Sequence, residues 1–137
     1  METNELRLRN LVAISEAAKI GLEEDGPIIN VWEVVGIGIS LVTLRNKGEQ
    51  NTETFHITDI LPIELTEKLI SDFGFNKTMA WTYAIEFSAN RQLVYYWGER
   101  GVSVGFKHCS DFSCKHVHSI QNLYFALFGK ELIYSPK

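Results

Sequence analysis

Cysteine, proline and methionine are all scarce in this 137-residue chain, at two, three and two copies. Two cysteines do not make a disulfide scaffold, and a chain of this length buries roughly two-thirds of its unfolded surface without staples. No apolar run approaches the roughly 20 residues that span a bilayer, so no membrane is expected as a partner. The opening "METNELRLRN" has no apolar segment of signal-peptide type. The expected location is the cytoplasm, and the expected state of the thiols is reduced.

Catalytic signatures are missing as well. Gly36-Ile37-Gly38 lacks the third glycine and following helix of a dinucleotide fingerprint. There is no P-loop and no H-E-x-x-H. Gly101-Val102-Ser103-Val104-Gly105 has the letters of a nucleophile elbow, with Asp111 and His116 in the right order behind it. The segment reads as strand interior, however, whereas that mechanism needs a strand-to-helix turn. Glu23, Glu24 and Asp25 lie in a Gly-Pro loop and read as solvated. An enzyme is not the expected class. A strong basic field is also lacking. Net charge is −4, and residues 1 to 90 carry seven Lys/Arg against fourteen Asp/Glu. That half does not suit a protein that wraps a polyanion, so nucleic acid is an unfavoured partner. Residues 91 to 137 carry six against three, a weak positive field.

What is present is strand patterning. "LRLRNLVAI" alternates, with Leu6, Leu8, Val12 and Ile14 on one face. "VWEVVGIGISLVTLR" reads as two strands with a bend or bulge at Gly36 and Gly38. Asn46-Lys47-Gly48 is a turn, and "TETFHITDI" is the returning strand. Residues 1–62 therefore predict a small bent sheet or SH3-like barrel.

Residues 63–137 predict a helix, a three-strand antiparallel meander and a second helix. In "PIELTEKLISDFGF", Thr66 is the N-cap, Leu65 and Ile70 are spaced for a hydrophobic staple, and Gly74 takes the left-handed ending covered by Phe75. Along the meander, Trp81, Tyr83, Ile85 and Phe87 share one face. Leu93, Tyr95 and Trp97 follow, then Val102, Val104 and Phe106. This aromatic stripe reads as core. The last helix shows Val117, Ile120, Leu123, Tyr124, Leu127 and Phe128 at helical spacing, ended by Gly129. The fold class is α+β, with the two parts expected to share one core.

Three blocks resemble a family of uncharacterised small proteins from Bacteroidetes bacteria, their phages and mobile elements. "NELRLRNLV" is similar to its N-E-L-R-x-G-N-x-V start, with Arg9 at the glycine position. "ITDILPIELTEKLISDFGF" is close to its I-x-P-I-x-L-T-E-x-x-L-x-x-F-G-F pattern. "VHSIQNLYFALFG" is close to V-H-x-L-Q-N-L-Y-F-A-L-T-G, with Phe128 in place of threonine. The resemblance implies shared architecture and a bacterial or phage setting, and it carries no activity.

Two clusters remain as candidate sites. His108, Cys109, Cys114, His116 and His118 crowd into eleven residues, and Cys109, Cys114, His116 and His118 are the set that would hold zinc. Their spacing is not a common zinc framework, and one loop would have to wrap the ion. If the helix includes residues 116 to 118, the two histidines diverge and cannot share a metal. The second cluster lies off the apolar stripe of the last helix, which centres near about 320° with Val117 at zero. His118, Gln121, Asn122 and Phe125 fall together on another side. They are the expected binding face of a small, non-enzymatic module that works through a protein partner or a homodimer.

Overall fold

The computed structural model describes residues 5–16, 30–48, 50–88, 91–98, 100–104 and 114–135. The chain is α+β and divides into two compact units, Met1–Ile63 and Glu64–Lys137. Among the described residues, no helix is long and apolar enough to cross a membrane.

The first unit is a five-stranded antiparallel sheet curled into a half-barrel. Its strands are β1 (Leu11–Ile14), β2 (Trp32–Ile37), β3 (Leu41–Asn46), β4 (Thr52–His56) and β5 (Ile60–Leu61), in the order β4-β3-β2-β1-β5. The curl places one face inside. Leu6, Val12, Ile14, Trp32, Val34, Val42, Leu44, Phe55 and Ile60 form a single buried cluster. Trp32 meets Phe55 edge-on at 5.4 Å between ring centres. The register of β2 against β3 slips between Val34 and Gly36, a bulge that bends the strand where the glycines are expected to bend it. A β-carbon on Gly36 would sit 3.3 Å from that of Thr43.

Two details differ from the sequence pattern. The opening strand starts only at Leu11, because Arg7–Asn10 is a turn: the Arg7 amide donates to Asn10 Oδ1 at 2.7 Å, and Arg9 holds φ 74. Leu8 is consequently exposed rather than in the core. The run "TETFHITDI" also breaks in two, because His56 Nδ1 accepts from the Thr58 amide and caps a single 3-10 turn, Ile57–Asp59.

The second unit contains α1 (Glu67–Asp72), strands β6 (Asn76–Met79), β7 (Thr82–Ser88), β8 (Arg91–Tyr96) and β9 (Gly101–Val104), and α2 (Val117–Phe128). The start of α1 follows its sequence. Thr66 Oγ1 accepts from the Leu69 amide at 3.2 Å, and the staple pair Leu65 and Ile70 is buried. At its end Gly74 has φ 91. The Phe75 amide donates to Ile70 O and the Gly74 amide to Ser71 O, which closes the last turn as a Schellman ending.

The sheet is four-stranded, β6-β7-β8-β9, so the three-strand meander gains an edge strand. Asn76–Met79 is exposed at every position and bulged at Thr78, and so lacks the apolar alternation by which strands are read. Across the sheet, Tyr83 opposes Tyr95, and Tyr95 opposes Val102. All three are buried on one face. The Tyr95 hydroxyl donates to Cys114 O at 2.9 Å, which ties the segment before α2 to that face.

Candidate functional site

The face that carries Tyr83 and Tyr95 continues one rung further. Met79 pairs with Thr82, so Ala80 and Trp81 form the tight turn of the β6–β7 hairpin. Beyond the end of β8, the Trp97 amide donates to Trp81 O at 2.8 Å. The two tryptophans are therefore the next cross-strand rung after Tyr83 and Tyr95. Here the aromatic stripe of the sequence leaves the core: Trp81 is 59% exposed and Trp97 is half-buried. The side chain of Phe87 and the whole of Phe106 lie outside the described residues.

Trp81, Trp97, Ala80, Lys77 of β6 and Glu67 at the start of α1 line an open cleft of about 560 Å3. Its polar groups are positioned from beneath and beside. Burial pushes the Tyr83 phenol up from its ordinary acidity, and a hydrogen bond to Glu67 adds to the shift. Trp97 is pinned by Arg100, whose guanidinium lies 4.3 Å from the ring centre. The same guanidinium donates to Leu65 O at 3.2 Å, and Arg100 O accepts from the Cys114 amide.

The backbone is strained at both turns. Trp81 has φ 65 and Arg100 has φ 53. For a residue with a β-carbon this conformation costs roughly 1–2 kcal/mol. Such positions usually hold glycine or asparagine, and strain of this kind clusters at binding and catalytic sites. The lining offers two indole faces, one carboxylate and one ammonium. It is equipped to hold a ligand by stacking and charge rather than to activate a nucleophile.

The helix face expected from sequence is placed differently. In α2 the buried residues are Val117, His118, Ile120, Gln121, Tyr124 and Phe128. The buried side is thus turned by about 50° from the apolar stripe, toward His118 and Gln121. Gln121 is only 2% exposed and His118 only 7%, so neither presents a surface. Asn122 is half-buried, and Phe125 is 38% exposed. Leu123 and Leu127 move from the expected core to the half-buried margin.

Of the expected zinc set, Cys109 lies outside the described residues, as do His108 and Asp111. Cys114 is buried, and burial pushes its thiol up to about 11, which keeps it protonated at neutral pH. His116 is the extended N-cap of α2 and His118 is helical, with the two rings stacked 5.8 Å apart and 11° from parallel. Among the described residues, no three His, Cys, Asp or Glu side chains gather as a metal-holding group. Ser103 lies inside β9, which pairs with β8, and not on a strand-to-helix turn.

Sequence reasoning missed Trp81 and Trp97 as surface residues because alternation assigns a face without showing where its cover stops. The available signal was position: each tryptophan sits beside a turn. No family model, curated protein or solved structure matches the chain.

Proposed function

We propose that the chain is a non-catalytic protein-binding module that engages its partner at the Trp81–Trp97 end of the second unit. The observation that carries this reading is Trp81. It is a large aromatic, mostly exposed, in a left-handed conformation that glycine adopts without steric cost. Trp and Arg are the residue types that dominate binding hot spots, and here Trp81, Trp97 and Arg100 converge. Arg100 fixes Trp97 in advance, which lowers the ordering cost of an encounter. The similarity of "NELRLRNLV" and "VHSIQNLYFALFG" to small Bacteroidetes and phage proteins supports a bacterial or phage setting.

If Trp81 serves binding, it contributes little to folding. Replacing it with glycine relieves roughly 1–2 kcal/mol of backbone strain and loses a comparable amount of partial burial. Trp81→Gly should therefore change unfolding free energy by no more than about 1 kcal/mol, whereas truncating a core aromatic costs about 3–5 kcal/mol. Urea denaturation of the two proteins measures the difference. A loss of core-aromatic size would make Trp81 a structural residue and remove the reading.

A further inference from the structure

Resting on that cleft, we propose that its occupant is the β2–β3 hairpin tip of another copy of this chain, so that copies associate head to tail. The tip is an exposed apolar surface of the first unit. Ile39 and Ser40 make its turn, and Ile39 is 98% exposed, flanked by Ile37 and Leu41, which are themselves exposed. Turns of this kind favour Gly, Asn, Asp and Ser, and a β-branched aliphatic brings none of their advantages.

The tip is also held firmly. The Gly38 amide donates to Leu41 O at 2.8 Å, and the Ile57 amide donates to Ser40 O at 2.8 Å. Ile39 thus stands as a convex apolar knob on a fixed turn. The Trp81–Trp97 cleft is concave, aromatic and open. A knob and a cleft that are both fixed beforehand meet with little ordering cost.

Charge points the same way. The unit that carries the knob has five Lys/Arg and ten Asp/Glu, a net of −5, whereas the unit that carries the cleft has eight and seven, a net of +1. Lys77 and Glu67 line the cleft and Arg100 lies over Trp97, so two cations against one carboxylate border the aromatic surface that an acidic unit would approach. Such complementarity speeds encounter and selects orientation. The net charge of −5 on that unit disfavours an anionic bilayer as its partner.

The two surfaces are different, so the contact is heterologous. It closes a ring where the rotation permits, and otherwise leaves one knob and one cleft unused at the ends of every chain of copies. A single hairpin tip buries much less than a standard interface, so the dissociation constant should be on the order of 100 µM.

Sedimentation velocity of the full chain, from about 10 µM to about 1 mM, tests this. The average mass should rise with concentration. Ile39→Asp and Trp81→Gly should each stay monomeric, with association weakened at least about tenfold. Mixing the two variants is the decisive arm. Ile39→Asp keeps its cleft and Trp81→Gly keeps its knob, so the mixture should form a 1:1 dimer and nothing larger. Should Trp81→Gly fail to fold, Lys77→Glu at the cleft wall replaces it and should give the same pattern more weakly. A wild-type chain monomeric throughout, or an Ile39→Asp chain that associates normally, overturns the head-to-tail contact. In the latter case, loss of association in Trp81→Gly alone would leave the cleft as a protein-binding site with another occupant.

Discussion

The two units solve the same problem, an antiparallel sheet that must hide one face, with different side chains. The first curls its five strands around an aliphatic cluster and contains only two of the sixteen aromatic residues, Trp32 and Phe55. Among the described residues the second has a four-stranded sheet and two helices, and its sequence holds the other fourteen aromatics with every tyrosine and cysteine in the chain. Each unit also leaves apolar surface outside, of opposite kinds. In the first it is aliphatic and stands on a convex turn; in the second it is aromatic and lines a cleft. A curled sheet closes over its own face. The second sheet meets α1 at Glu67 and the lead into α2 at Cys114, and the Trp81–Trp97 rung lies at the open end of that cover.

The largest expected effect tests whether the units are also separate in folding. Trp32 is the largest buried side chain of the first unit and packs edge-on against Phe55. Trp32→Ala should cost about 3–5 kcal/mol. Hydrogen exchange should then show lost protection in β1, β2 and β3 with protection retained in β7 and β8. Equal loss in both sets of strands would mean that they unfold as one block. Trp32→Phe should cost much less, because it also removes a buried indole Nε1 that has no hydrogen-bond partner among the described residues.

A middle-sized effect separates the units by pH. The folded chain keeps Cys114 protonated to higher pH than the unfolded chain does, since burial raises its thiol from 9.0 to about 11. The stability linked to this is whole below pH 9 and is lost as pH rises toward 11. At about 1.4 kcal/mol per pH unit, it is on the order of 2 kcal/mol. Burial raises Tyr83, Tyr95 and Tyr124 in the same direction. The first unit contains neither tyrosine nor cysteine. In Trp32→Phe protein, Trp81 and Trp97 report the second unit alone, and its urea midpoint should fall between pH 8 and pH 10.5. Cys114→Ala should flatten that fall; an unchanged slope would show that the thiol is not its source.

How much was readable follows from how local each signal is. The α1 cap, its staple and its Schellman ending lie within the eleven residues 65–75, and Thr66, Ile70, Gly74 and Phe75 each do what their chemistry dictates. The rung Tyr83–Tyr95–Val102 was readable because alternation carries across a hairpin. Strand β6 was not, because an exposed edge strand has no apolar period to show. The face of α2 was misjudged for a related reason. Hydrophobic spacing sees Leu123 and Leu127 but gives no weight to Gln121 and His118, which are buried and engaged in contacts of their own. The cleft depended on where cover ends, which is set by the helix and turn lengths around it.

The smallest effect concerns strain that has no binding role. Gln50 in the first unit is left-handed like Trp81, with φ 64, but it lies in the turn after β3 and presents no aromatic surface. Its side-chain Nε2 donates to Lys47 O at 3.1 Å, and its amide donates to Asn46 O. Gln50→Gly keeps the backbone bond, relieves the conformation and gives up one exposed hydrogen bond. The net should be a gain of about 0.5 kcal/mol. Association measured by sedimentation should be unchanged, whereas Trp81→Gly should weaken it. If Gln50→Gly weakened association as well, left-handed strain rather than the tryptophan surface would be the common cause, and the contrast between the two turns would fail.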